Sequence, residues 1–232
     1  MKGDSIMILL AIDTVASLCA ACIWDADAGR ELGRATRDPG KGHAEHLMAV
    51  IGEALAAAGK NYPDLGAVAV AVGPGSFTGI RVGVAAARGL ALALGIPSTG
   101  VTTLDALAEE ARQAYPGRPI LAAIDARRDE LYVAQYGPAG SRLSGPRIMH
   151  LPQAAAMARE QGPVLTGSAA RMIAQAAGAQ LDIAGEAATA DIAVYARLAV
   201  RQGLSGEKPR PLYLRDADAK PQAGFVLARK DG

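Results

Sequence analysis

Apolar residues recur along this chain in two rhythms. From His43 to Ala58, Leu47, Val50, Ile51, Ala54, Leu55 and Ala58 fall at i, i+3, i+4, i+7, i+8 and i+11. That single stripe predicts a helix, and Gly59 supplies its stop. From Thr78 to Leu94 the residues are apolar nearly all round, which predicts a second helix covered on most sides and ended by Gly95 and Pro97. Shorter runs read as strands: Ile8–Ile12, Leu18–Trp24 returning across a tight turn, a more exposed Arg30–Asp38, and a buried Ala67–Val72. Asp38-Pro39-Gly40-Lys41-Gly42 breaks regular structure before the first helix.

After Pro97 the pattern restarts. Leu104–Ala114 is helical, Pro119–Asp125 and Glu130–Tyr136 form a hairpin across a charged turn, and Pro163–Gly167 is a strand. Leu151–Gln161, Ala169–Ala177 and Thr189–Arg201 are helices. Each half thus opens on a β-hairpin and continues into alternating strands and helices. The expectation is a duplicated α/β chain with one unit over residues 1–100, a second over 101–217, and a loose tail over 218–232.

The polar sides of the first two helices are unusual. Opposite its apolar stripe, the first carries Ala49, Gly52 and Ala56, with Glu45 and Glu53 as the charges near them. Along the second, Gly79, Gly83 and Ala87 make a small-residue stripe, while Arg81 and Arg88, seven apart, share one side. Such smooth faces admit a close neighbour and read as partner faces.

Composition narrows the function classes. Half of the 232 residues are hydrophobic, enough for real cores. With 24 basic and 23 acidic residues the formal charge is +1, and Arg127-Arg128, the nearest approach to a basic run, is flanked by acids. Tight nucleic-acid binding by the chain alone is disfavoured, because counterion release from phosphates needs concentrated positive charge. Asp13 interrupts the apolar stretch Ile6–Trp24, which argues against a secretory leader, and no other stretch reaches membrane-span length free of charges or turn signals. The expectation is a cytoplasmic protein with no membrane contact.

Several residues could carry chemistry. The turn Gly73-Pro74-Gly75-Ser76-Phe77-Thr78-Gly79 leads from a strand into a helix, where backbone N–H groups could hold an anion. It lacks the Gly-Lys-Ser/Thr of a P-loop, and its glycines also suit a sharp turn with Ser76 or Thr78 capping the helix. Asp13-Thr14 ends the first strand and Asp125-Ala126-Arg127 is its counterpart in the second half. Cys19 and Cys22 have no second pair to complete a zinc site and sit in strand sequence, so they read as small core residues. His43 and His46 are three apart, about 60° around a helix, without the zincin spacing; capping or partner contact is the better reading.

The segment Gly73–Gly95 with Pro97 and Val101 closely resembles the signature of the TsaB (YeaZ) family. Ile12-Asp13-Thr14, the start of the His43 helix, Ile124-Asp125-Ala126-Arg127 with Glu130-Leu131-Tyr132, and Pro211-Leu212-Tyr213-Leu214-Arg215 also match. The resemblance implies an α/β fold of the actin-like ATPase and sugar kinase type. It implies an accessory subunit, not itself an enzyme, that pairs with the transferase TsaD, with the ATPase TsaE joining. The complex moves a threonylcarbamoyl group to N6 of the adenosine beside the tRNA anticodon, and tRNA is met only through it. TsaD follows the shared glycine segment with paired metal-binding histidines. Here the same place reads Val101-Thr102-Thr103-Leu104-Asp105-Ala106, whose Leu and Ala have no lone pair to give a metal.

On this reading the partner-binding residues are His43, His46, Ala49, Gly52, Glu53 and Ala56 on the first helix. Gly75, Ser76, Phe77, Thr78, Arg81, Gly83 and Arg88 join them from the second. The same surface could pair with itself in a homodimer. Asp13 and Thr14 mark where the superfamily grips phosphate, and an ATP or ADP shared at the TsaD junction is compatible with the family, with no tightly bound cofactor and no metal. Arg127 stands where phosphate-binding hairpins place glycine and would crowd a nucleotide. The alternative is an ATP hydrolase or peptidase acting alone, which would require activity that vanishes on Asp13→Ala or Asp125→Ala.

Overall fold

The computed structural model describes residues 7–39, 42–204 and 207–215. The tail expected to be loose, residues 218–232, and the break at Gly40-Lys41 lie outside them.

Two five-stranded sheets organise the chain. The first runs β3-β2-β1-β4-β5, from β1 (Ile8–Asp13), β2 (Cys19–Asp25), β3 (Arg30–Arg37), β4 (Ala67–Ala71) and β5 (Ser98–Val101). The second runs β10-β9-β6-β7-β8, from β6 (Ile120–Asp125), β7 (Glu130–Tyr136), β8 (Arg142–His150), β9 (Val164–Thr166) and β10 (Ile183–Gly185). In each, the first strand pairs antiparallel with the second and parallel with the fourth. The two orders are the same list read twice, which is the duplicated α/β plan expected above.

The strands β1 (ILLAID) and β6 (ILAAID) occupy the same central place in their sheets. Flanked on both edges and covered on both faces, they read as continuous apolar runs rather than alternating ones. Helices α1 (His43–Ala57) and α2 (Phe77–Leu94) cover the first sheet, while α4 (Leu151–Gln161) and α5 (Ala170–Ala177) belong to the second half. The helices that close each half are exchanged. Helix α3 (Thr103–Ala114) follows the first sheet but packs on β6 and β7; α6 (Ile192–Gln202) follows the second but packs on β1, β2, β4 and β5. The two touch each other, so one core joins the halves.

The hydrophobic periods locate the helices and the long strands. They give no sign of β5, β8 or β10. β5 and β10 have four and three residues, too short for a period, and β8 is a half-exposed edge strand broken by Gly145-Pro146. Helix α2 is long and apolar enough to span a membrane by composition, yet Gly79, Ile80, Gly83, Val84, Ala87 and Ala91 are buried within the fold. The cysteines are free and buried in β2, with their thiols pushed up to about 11 (Cys19) and about 12 (Cys22), chiefly by burial. That suits core packing rather than reactivity.

Candidate partner face and the cleft beneath it

Helix α2 enters its helical run through a close approach of backbones. Ser76 N–H donates to Val15 O at 2.7 Å, and the Ser76 hydroxyl caps the helix by accepting from Gly79 N–H at 3.2 Å. A Cβ at Gly79 would lie 1.9 Å from Thr14 O, and one at Gly83 would lie 2.5 Å from Thr14 Oγ1. The small-residue stripe therefore faces inward. It lets α2 lie directly on the end of β1, and Gly83 is a packing position, not the partner contact expected from sequence. Gly75 is half-buried for the same reason, 2.4 Å from Val15 O at its would-be Cβ.

The outward side of α2 is a different surface. Phe77, Arg81, Ala85, Arg88 and Leu92, at i, i+4, i+8, i+11 and i+15, are all exposed, Leu92 by 83%. No acid occurs on this helix. Beside it, α1 buries Leu47, Val50, Ile51, Ala54 and Leu55 and turns Glu45, Met48, Ala49, Glu53 and Ala56 outward. Gly52 is half-buried with open space where a side chain would stand. One helix thus offers acids and small residues, its neighbour cations and bulky apolar groups. Glu53 also pairs with Arg37 of β3. Of the expected contact residues, Ala49, Glu53, Ala56, Ser76, Phe77, Thr78, Arg81 and Arg88 are exposed. His46 is half-buried, and His43 is buried with its Nε2 unpaired.

Below α2 a cavity of about 940 Å³ opens between the halves, bordered among others by Ser76, Thr78, His43, Asp125, Arg127 and Ser168. Asp13 and Thr14, expected to face a nucleotide there, do not border it. Thr14 is fully buried and its hydroxyl donates to Gly79 O at 2.7 Å. Asp13, 2% exposed, accepts from Val15 N–H at Oδ1 (2.9 Å) and from the Thr189 hydroxyl at Oδ2 (2.5 Å); Thr189 also meets the Tyr195 hydroxyl at 2.7 Å. Burial pushes the Asp13 carboxyl up to about 6, against the smaller opposing pull of those hydrogen bonds and of His43. Tyr195, buried beside it, is raised further by burial and by the Asp13 charge. Both expected phosphate-gripping side chains are thus committed inside the chain.

The equivalent turn of the second half stays open. Asp125 is exposed; its N–H donates to Ser168 Oγ at 3.0 Å and its Oδ1 accepts from Arg127 N–H at 2.7 Å. Arg127, Arg128 and Asp129 all have positive φ, at 62°, 57° and 60°. An arginine therefore holds the glycine-like conformation at the cavity wall. Glu130 is ion-paired with Arg215. At Val101–Ala106, where the resemblance implies paired histidines in TsaD, this chain starts α3: Thr102 caps it by accepting from Asp105 N–H at 3.1 Å, and Leu104 and Ala106 are fully buried.

Three exposed large side chains, Met48, Leu92 and Tyr213, are not among the residues expected from sequence. Met48 and Leu92 carry a local signal, since each continues an exposed helical stripe. Tyr213 carries none. It reaches α2 from the far end of the chain, its ring 5.3 Å from that of Phe77 and its hydroxyl accepting from Arg81 Nε at 2.8 Å.

Comparison with known proteins follows the same lines. A family model described as TsaD, tRNA N6-adenosine threonylcarbamoyltransferase, matches residues 37–194. The chain is 37% identical over 131 residues to the tRNA threonylcarbamoyladenosine biosynthesis protein TsaB of Escherichia coli (strain K12), across 56% of this chain and 55% of that protein. The matched stretch spans about half the length of the curated TsaB relatives. An uncharacterised protein of Mycobacterium tuberculosis (strain H37Rv) is 35% identical over 229 residues, 96% of this chain and 99% of that one. Among solved structures, YeaZ from Pseudomonas aeruginosa superposes with a TM-score of 0.74 at 27% identity, over 90% of this chain and 100% of that one.

Proposed function

The chain belongs to the family described as TsaD, tRNA N6-adenosine threonylcarbamoyltransferase, and within it to the TsaB (YeaZ) group; from that premise we propose that it is the non-catalytic partner of a TsaD-type transferase in tRNA threonylcarbamoyladenosine biosynthesis. It binds the transferase through the outward faces of α1 and α2, with TsaE joining the pair, and contributes shape and charge rather than reacting groups. The complex meets tRNA in the cytoplasm, and this chain reaches tRNA only through it.

The observation that carries the reading is the paired helix surface. Helix α1 exposes Glu45 and Glu53 and its neighbour α2 exposes Arg81 and Arg88, together with small residues and the exposed Met48, Phe77 and Leu92. A partner with two similar helices could set its basic stripe on the acidic one and its acidic stripe on the basic one, giving both attraction and register. The same logic allows a second copy of this chain to occupy the face, so a homodimer would compete with the heterodimer. The lone-enzyme reading loses support from Asp13, whose two oxygens are both occupied within the chain. If ATP or ADP is shared with the transferase, it is held from the cavity mouth without the Asp13 and Thr14 side chains.

Reconstitution tests this. Mixed with TsaC, which supplies threonylcarbamoyl-adenylate, and with TsaD and TsaE, the chain should be required for modification of tRNA, and omission of any component should abolish it. Full modification without this chain would refute the proposal. So would ATP or peptide hydrolysis by the purified chain that disappears on Asp125→Ala.

A further inference from the structure

The C-terminal segment returns to the start of α2 between two anchors. Leu212 N–H donates to Val72 O at 2.8 Å, at the end of the first sheet, and Arg215 pairs with Glu130 of the second. Between them Tyr213 is laid against the first turn of α2. The Arg81 guanidinium carbon lies 3.6 Å from the Phe77 ring centroid and 5.5 Å from that of Tyr213. The cluster is open to solvent: Phe77 is 38% exposed, Tyr213 is 45% exposed, and Arg81 is exposed with them.

Two exposed aromatic rings around a cation normally expect something on top of them. Nε of Arg81 is used by the Tyr213 hydroxyl, and no described carboxylate pairs with the guanidinium. Stacking fixes the plane of the group, and its terminal N–H donors suit the two oxygens of a carboxylate. The rings would form an apolar collar that excludes water from such a pair, where it is worth more than at an open surface.

We propose that Phe77, Arg81 and Tyr213 form a carboxylate clamp in the partner interface, closing on an Asp or Glu side chain of the TsaD-type subunit. The inference rests on the pairing proposed above and deepens it. It gives the C-terminal segment a part in recognition and specifies an acid, flanked by apolar surface, on the partner opposite the first turn of α2. Charge selects that occupant: α2 offers Arg81 and Arg88 with no acid to balance them. The cluster continues the exposed α2 stripe and none of its three residues borders the cavity, which favours a protein surface over a small anion.

The test is titration of the full chain against its cognate TsaD-family protein, at low and high salt, with melting temperatures recorded. Arg81→Ala and Tyr213→Ala should each weaken binding about tenfold or more, as truncation of aromatic and arginine anchors does. Tyr213→Phe keeps the ring and should lose about fivefold or less, and Arg81→Glu should lose the most, by like-charge contact. The salt dependence should shrink in Arg81→Ala. Unchanged affinity in both alanine variants would overturn the clamp while leaving the pairing intact. Absence of binding by the unsubstituted chain would overturn the pairing and the clamp with it. Should Tyr213→Ala fail to fold, Arg81→Gln decides alone: full affinity refutes the clamp. Variants that dissolve a homodimer yet bind the TsaD-family protein normally would also refute it.

Discussion

Two strands with nearly the same sequence, ILLAID and ILAAID, end in aspartates with opposite surroundings. Asp13 is buried under α2, with one oxygen on Val15 N–H and the other on the Thr189 hydroxyl. Asp125 stands exposed at the cavity wall, beneath a turn of three left-handed residues. The difference comes from what covers each strand end. Over β1, Gly75, Gly79 and Gly83 let the α2 backbone descend until it excludes water; α6 then returns from the other half and brings Thr189 and Tyr195 with it. A duplicated fold has kept one cleft wall open and sealed the other. The Asp13-Thr14 turn expected to face phosphate is core, and the exposed charged and aromatic side chains lie on the other side of the same helix.

Substitutions at the sealed end should have the largest effects. Gly79→Ala puts a methyl group 1.9 Å from the Thr14 carbonyl oxygen, a contact with backbone on both sides. The expected loss is about 3 kcal/mol or more by chemical denaturation, the upper end for overpacking a core. A loss below about 1 kcal/mol would mean that α2 does not seal β1.

Asp13→Asn should act in the other direction. In the fold Asp13 holds its proton up to about pH 6, against an ordinary value of 3.8. Between those values the native chain binds more protons than the unfolded one, so stability falls as pH rises, and the penalty is complete above about pH 6. Asparagine can accept from Val15 N–H and donate to Thr189 without a buried charge. The variant should gain about 1–3 kcal/mol at pH 7.5 and lose the decline between pH 4 and 6. An unchanged pH profile would show that this carboxyl is not sealed.

At the open end the effects should be smaller. Arg127→Gly relieves one left-handed non-glycine residue, φ 62°, and should gain about 1 kcal/mol. Destabilisation instead would mean that the arginine side chain holds the turn in place.

Much of this was legible in the sequence, and the limits are physical. The stripe Leu47-Val50-Ile51-Ala54-Leu55 fixes both the existence and the inward face of α1, since helical period and burial are the same fact seen twice. The equivalence of Asp13 and Asp125 was readable from their matching strand ends. Their opposite fates were not, because Thr189 lies 176 residues from Asp13 and no local pattern links them. The Gly79–Gly83 stripe announces a close approach, and its direction follows from Arg81, which stands about 200° round the helix from both glycines and takes the solvent side. Tyr213 is hidden for the same reason as Thr189: its contacts with Phe77 and Arg81 are entirely non-local.

On the proposed function this chain works through the outward faces of α1 and α2 and not through its sealed carboxylate. Calorimetric titration of the cognate TsaD-family protein with three variants, Ala49→Phe, Leu92→Glu and Asp13→Asn, tests it directly. Ala49 and Leu92 are exposed, so both face variants should melt like the unsubstituted chain yet bind about 30-fold or more weakly, while Asp13→Asn binds normally. Full affinity in the two face variants, with loss in Asp13→Asn, would contradict the account.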